Sequence, residues 1–356
     1  MDKIKKMKIE TKQRNLYLDI MKGISIFLVI LGHSIQYGSK ISYVENDLFF
    51  ADSIFKLIYS FHMPLFAMLS GYLFFYTIKK RTPKELLINR IKMLILPIIC
   101  WGTIDFLIRI LTGELNGVGI IWWIKRYILT LFGTLWFLWA ILLCSAVVSA
   151  IHYLFQDNKI IMLLLMSIFF IVPDKFNFVY MKFLYPFFVA GYVWNLQNMK
   201  VSNRIKQVAW VVSGVLLLNL LHFMQKGVYI YTSGFTVLGK ENIAMQIYYN
   251  LYRWIIGFSG SVFLLSEMDL LINVTQNKFE KAKTLCGGVG KLSMGIYAIQ
   301  GYVFRYGVTS AFAMIGVDLP FGLVIAETIL ILGICSIITI FIRKINILSV
   351  CLLGGR

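Results

Sequence analysis

The sequence predicts an all-α integral membrane protein, a bundle of about ten transmembrane helices with both termini in the cytoplasm. Three observations lead there. Of the 356 residues, 59% are apolar and only 15% charged, with a mean hydropathy of +0.76, whereas a soluble domain has about 45–50% and about 25%. The charged residues lie between long apolar runs rather than on one face. Lys and Arg also divide unevenly between alternate loops, which is how a membrane protein encodes its orientation.

A hydrocarbon core of about 30 Å needs roughly 20 helical residues to cross it. Runs of that kind occupy 20–36, 54–78, 93–111, 134–155, 160–173, 180–196, 207–224, 251–273, 292–315 and 321–342. The fifth ends at Pro173, and Pro186 and Gly191 interrupt the sixth. Residues 120–132, with Trp122 and Trp123 beside Lys125 and Arg126, read as an interfacial helix, because indole rings favour the headgroup level. With the N-terminus inside, the inner loops carry 23 Lys and Arg and the outer loops 6. The formal charge of +18 is therefore a topology signal, not the footprint of a nucleic-acid partner.

These features exclude secreted, cytosolic and disordered classes. The chain reads as one domain over 1–356, with a basic cytoplasmic segment at 1–19 and a cytoplasmic tail at 343–356, and is expected in the plasma membrane. The basic start lacks an A-x-A cleavage site, so an uncleaved first helix is expected. The five cysteines show no disulfide or zinc spacing, and no metal site or bound cofactor is expected. P-loop, nucleophile-elbow and dinucleotide motifs are absent. The run GGVGKLSMG at 287–295 reads as a glycine turn before the ninth span.

Ionisable groups at membrane depth cost roughly 2.5–3.5 kcal/mol on insertion scales, so each needs a partner or a wet cavity. In the first span Lys22 and His33 are eleven residues apart, which places them about 20° apart on one face and roughly 16 Å apart along the axis. Asp19 falls on nearly the same face. Two readings fit: His33 bonds a neighbouring helix while Lys22 snorkels, or the pair marks a site with a cation at the inner end and a proton-accepting imidazole deeper in. In the second span His62 precedes Pro64, which is expected to kink or break the helix, and Ser70-Gly71 offers a small surface for close helix approach. Asp105 and Arg109 can neutralise each other at i, i+4. Arg253, Glu267, Asp269, Arg305 and Glu327 are further charges whose pairing spacing alone does not fix; Arg305, in an otherwise uncharged helix, is a supporting site candidate. His152 and His222 fall near span ends and read as interfacial.

Lys22-x₁₀-His33, read as Asp19-Ile20-Met21-Lys22-Gly23 through Gly32-His33-Ser34, resembles the first-helix signature of the membrane-bound acyltransferase 3 family. The likeness continues in Phe61-His62-Met63-Pro64-Leu65-Phe66 and Ser70-Gly71-Tyr72, which resemble the polysaccharide-modifying branch. Further matching blocks are Arg90 with Pro97, Leu135-Trp136-Phe137-Leu138, Tyr185-Pro186-Phe187-Phe188 with Gly191-Tyr192, and Gly290-Lys291-Leu292-Ser293 with Tyr297. Together they run from about residue 14 to 342. Two positions depart: Met93 stands where the family often has a second Arg, and Gln300 where it commonly has His.

The resemblance implies transfer of an acyl group, usually acetyl, from cytoplasmic acyl-CoA (acetyl-CoA) to a hydroxyl of an extracytoplasmic glycan or its lipid-linked precursor. On that basis Lys22, Arg90 and Lys92 would bind the polyanionic donor. His33 would act as general base or transient acyl carrier, and Asp19, His62 and Arg305 would support the site. A glycan or lipid-linked-sugar transporter is the main alternative; many such proteins carry internal repeats, and none is found here. A non-catalytic membrane anchor or sensor is the third reading.

Overall fold

The computed structural model describes residues 15–38, 50, 52–114, 119–197, 201–275, 279–308 and 321–355. The expected segment 1–14, most of the loop 37–53 and the end of the ninth span with its following loop lie outside them.

Among the described residues the regular elements are all helices. The α-helices of eight residues or more are α1 (Leu16–His33), α2 (Ser53–Ile78), α3 (Pro83–Arg90), α4 (Leu96–Leu111), α5 (Ile120–Gly133), α6 (Trp136–Phe155), α7 (Lys159–Ile168), α8 (Phe178–Leu196), α9 (Asn203–His222), α10 (Ile243–Thr275), α11 (Glu280–Tyr302), α12 (Phe321–Lys344) and α13 (Asn346–Leu353). Local chemistry sets several starts. The Asp52 carboxylate accepts from the backbone N–H groups of Ile54 and Phe55 at 2.9 and 2.7 Å. A capping box between Thr82 and Glu85, with Pro83 in the first turn, opens α3.

Among the described residues, seven helical segments are long and apolar enough to cross a membrane: 16–36, 53–78, 83–111, 136–155, 203–222, 243–272 and 324–344. The apolar run at 160–173 becomes only the ten-residue α7, about 15 Å long and half the thickness of a hydrocarbon core. Helix α5 buries none of its residues, as suits a helix lying at the edge of the bundle.

Two sequence expectations are corrected. The glycine run at 287–295 is not a turn; it lies inside α11, which starts at Glu280 rather than 292. Its glycines form the seam with α1: a Cβ on Gly290 would stand 1.7 Å from the Asp19 carbonyl oxygen, and one on Gly23 would stand 2.2 Å from that of Cys286. Close backbone approach outweighs the low helix propensity of glycine there. Likewise α2 runs unbroken through Pro64 and α8 through Pro186. These two helices hold each other where Gly71 meets the Phe188 carbonyl and Gly191 the Met68 carbonyl, the small-residue contact expected at Ser70-Gly71.

Two polar clasps secure the ends of the bundle. Asp157 accepts from the Tyr192 hydroxyl at 2.6 Å and pairs with His152 at 2.9 Å and Lys79 at 3.3 Å, joining α2, α6 and α8. Burial alone would raise its carboxyl, but these three partners outweigh that and hold it below the ordinary range. On the other clasp Asp174 pairs with the fully buried Lys182 and accepts from the N–H groups of Phe235 and Thr236 at 2.6 and 2.9 Å. Arg253 completes that fold-back by donating to the carbonyls of Gly227 and Gly234 at 2.8 and 2.6 Å and to Asn250 Oδ1 on its own helix at 2.5 Å, so it ties α10 to that loop.

Candidate functional site

The pairing of α1 with α11 places the polar face of α1 toward the bundle interior, with a chamber at each end. The chamber at the Lys22 end encloses about 430 Å³ and is lined by Lys22, Arg90, Lys291 and Arg343 together with Ser70 and Ser293. Four cations from α1, α3, α11 and α12 thus meet in one space. Lys22 is 3.6 Å from the buried Asp19, the Arg90 guanidinium lies 4.7 Å over the Phe74 ring, and Arg343 donates to the Lys291 carbonyl at 2.6 Å. Lys92 is exposed and does not line this chamber; Lys291 and Arg343 supply the additional positive charge.

His33, at the end of α1, lines both chambers at the far end. One holds about 260 Å³ and is bounded by His33, His62, Tyr59, Tyr229, Tyr231 and Arg253. The other holds about 710 Å³ and is bounded by His33, Asp105, Trp136, Gln300, Tyr302 and Arg305. Lys22 and His33 therefore do not share one continuous hollow. The inner and aromatic chambers share Met63 and Tyr297 as walls, and Tyr297 borders all three. The Tyr297 hydroxyl accepts from the Phe137 N–H at 3.1 Å, which fixes the ring at that junction. Just before it, Leu135 takes a left-handed backbone (φ 51°), a costly conformation for a branched residue that starts α6 with Trp136 beside His33.

The Tyr59 hydroxyl donates to Gln36 Oε1 at 3.1 Å and lies 3.4 Å from His33 Nδ1. In its Nδ1–H tautomer His33 donates to Tyr59 and keeps its lone pair on Nε2. His62 Nδ1 lies 2.6 Å from the Ile58 carbonyl, which can only accept, so a neutral His62 has its lone pair on Nε2. Burial first, and the Asp52 charge second, push the Tyr229 phenol above its usual range, so that residue remains an O–H donor.

Asp105 does more than neutralise Arg109. It accepts from Arg109 at 3.0 Å and from Arg305 at 3.4 Å, tying α4 to the segment after α11 at the wall of the largest chamber. His33, Arg90 and Arg305 share a local feature: π-helical turns follow His33 at Ser34–Gly38 and Arg90 at Ile91–Ile95, and one contains Arg305 at Val303–Val308. Such turns re-aim a side chain within a helix and recur at functional sites. Among the described residues no group of three or more His, Cys, Asp or Glu side chains could hold a metal ion.

A family model for an acyltransferase domain matches residues 15–342. The chain belongs to the membrane-bound acyltransferase 3 family. This acyltransferase is 27% identical over 320 residues to nodulation protein NolL of Mesorhizobium japonicum, covering 83% of this chain and 78% of that one. It is 26% identical over 307 residues to nodulation protein NolL of Sinorhizobium fredii, covering 82% and 78%. No solved structure matches it. Of the residues named from sequence, Lys22 and Arg90 line the inner chamber, His33, His62 and Arg305 line the outer ones, Asp19 pairs with Lys22, and Lys92 lies outside. Lys291 and Tyr297, which stand in a matching block without an assigned role, and Arg343, Tyr59 and Tyr229, which the sequence did not single out, line the same chambers.

Proposed function

We propose that this acyltransferase moves an acyl group, acetyl in the first instance, from cytoplasmic acyl-CoA to a hydroxyl of a cell-surface glycan or its lipid-linked precursor. It would act in the plasma membrane as a bundle of about ten spans with both termini in the cytoplasm. The observation that supports this reading is that a four-cation chamber and a chamber lined by the two histidines lie against one shared wall, Met63 and Tyr297. Acyl-CoA has the matching shape: phosphates at one end, a long flexible arm and a thioester at the other. Lys22, Arg90, Lys291 and Arg343 hold the phosphates by charge-assisted bonds. The arm enters between Met63 and Tyr297, which part when the donor binds, and the thioester reaches the aromatic chamber beside His33.

His33 Nε2 takes the proton of the acceptor hydroxyl as its oxygen attacks the thioester carbonyl. The Tyr229 hydroxyl donates to the oxyanion that forms. As the tetrahedral intermediate collapses, the C–S bond breaks, and the departing thiolate takes the proton back from His33. The products are the ester and free CoA, with no net proton change. His62 shapes the pocket next to the reacting carbonyl.

The test is transfer of label from [¹⁴C]acetyl-CoA to glycan by purified protein in lipid nanodiscs. His33→Ala is expected to abolish transfer while membrane insertion and protein level stay at wild-type values. Retained transfer would remove the general base from the scheme. The same assay separates this reading from transport, which would move glycan without forming an ester.

A further inference from the structure

His33 lines two outer chambers, and among the residues lining each is one whose buried polar atom bonds no other described residue: the Tyr229 hydroxyl in the aromatic chamber and Gln300 Oε1 in the larger one. Gln300 is only 4% exposed. A buried acceptor left unmade is costly, so a ligand hydroxyl that meets this atom, after a turn of the Gln300 side chain into the chamber, gains a hydrogen bond the protein does not supply. The two atoms differ in chemistry. A phenol proton suits a thioester carbonyl, which can only accept. An amide oxygen suits a hydroxyl, which can donate. The sizes sort the same way. The aromatic chamber, about 260 Å³, adjoins the inner chamber at Met63 and Tyr297, whereas the other, about 710 Å³, has room for a sugar.

We propose that the chamber bounded by His33, Trp136, Gln300 and Arg305 is the acceptor-sugar subsite, and that Gln300 Oε1 accepts a hydrogen bond from a sugar hydroxyl neighbouring the one that His33 deprotonates. Gln300 then selects the acceptor: a sugar lacking that hydroxyl leaves the amide oxygen unpaired, and sites of this kind reject such analogues strongly. This subsite rests on the glycan O-acylation reading above.

The experiment uses the full-length protein in nanodiscs, [¹⁴C]acetyl-CoA, and as acceptor probe the surface glycan of the source organism after removal of its esters with mild alkali. Gln300→Leu, which keeps the volume and loses the acceptor, is expected to raise the KM for this glycan at least tenfold and leave the KM for acetyl-CoA within twofold. Gln300→His, which restores an accepting atom, is expected to recover most of the lost affinity even where the leucine variant folds poorly. An unchanged glycan KM in Gln300→Leu, or no recovery in Gln300→His, overturns the inference. A tenfold rise in glycan KM in Tyr231→Ala would place the sugar in the aromatic chamber and overturn it too. Failure of the wild-type protein to label the glycan would instead bring down the O-acylation reading, and the subsite with it.

Discussion

Gly290→Ala tests whether the α1–α11 seam positions the donor site. The added methyl would stand 1.7 Å from the Asp19 carbonyl oxygen and 2.9 Å from the Gly23 nitrogen, both fixed backbone of α1. Restoring an ordinary carbon–oxygen contact of about 3.3 Å requires the helices to part by roughly 1.6 Å at that point. Overpacking of this kind costs about 1–3 kcal/mol. The displaced segment carries Lys22 and its partner Asp19, so the KM for acetyl-CoA should rise together with the loss of stability. Gly288→Ala is the matched control: nothing lies within 4 Å of a Cβ there, and alanine in a helix is worth about 0.5–1 kcal/mol over glycine. Thermal unfolding and initial-rate kinetics in nanodiscs read both effects. Gly290→Ala should melt lower than wild type with weaker donor affinity, and Gly288→Ala should melt at or above wild type with kinetics unchanged. Equal behaviour of the two variants would refute the seam as the element that aims Lys22.

Three further predictions follow from named contacts. Lys291→Ala should raise the KM for acetyl-CoA about tenfold, on the order of one charge-assisted bond, while Lys92→Ala leaves it within twofold; initial rates over a donor titration check both. Tyr229→Phe should lower kcat by about 10²–10³ with the donor KM unchanged, the usual cost of removing one oxyanion donor, measured by the same label transfer. The Asp174 carboxyl is raised by burial but held below its ordinary value overall by Lys182 and the N–H groups of Phe235 and Thr236. Its folded pKa is depressed, so its contribution to stability is present above the ordinary carboxylate pKa and is lost as pH falls through the folded value. Melting curves should therefore fall off below about pH 4, and Asp174→Asn should flatten that acid limb; an unchanged limb would count against the clasp.

What was legible in the sequence is what one helix encodes by itself. Eleven residues are close to three turns, so Lys22 and His33 fall on one face of α1 whatever surrounds it. Hydropathy likewise exposed the membrane class, and Ser70-Gly71 the close contact with α8. The chambers depend on which helices meet. Arg343 joins the inner cluster only because α12 packs against α11, and Tyr229 lines the same chamber as His33 through a loop folded back by Arg253 and Asp174. Periodicity carries no trace of either. Local preference misled at two places. Glycines at 287–290 suggested a turn because isolated helices disfavour them, yet the seam with α1 selects them. Pro64 suggested a kink or a break, and the break is absent: packing of α2 against α8 carries the helix through it. The apolar run at 160–173 had the composition of a span without its length.

The central proposal is that donor binding joins the four-cation chamber and the His33 chamber, which share the wall of Met63 and Tyr297, into a single donor site. A cryo-EM map of the full-length protein in nanodiscs, with an acetyl-CoA analogue in which a methylene replaces the thioester sulfur, tests it directly. The account predicts density for the phosphates among Lys22, Arg90, Lys291 and Arg343, the arm passing between Met63 and Tyr297, and the acyl carbonyl beside His33 and the Tyr229 hydroxyl. Phosphates seated away from those four cations, or an acyl end on the far side of Tyr297 from His33, would contradict it.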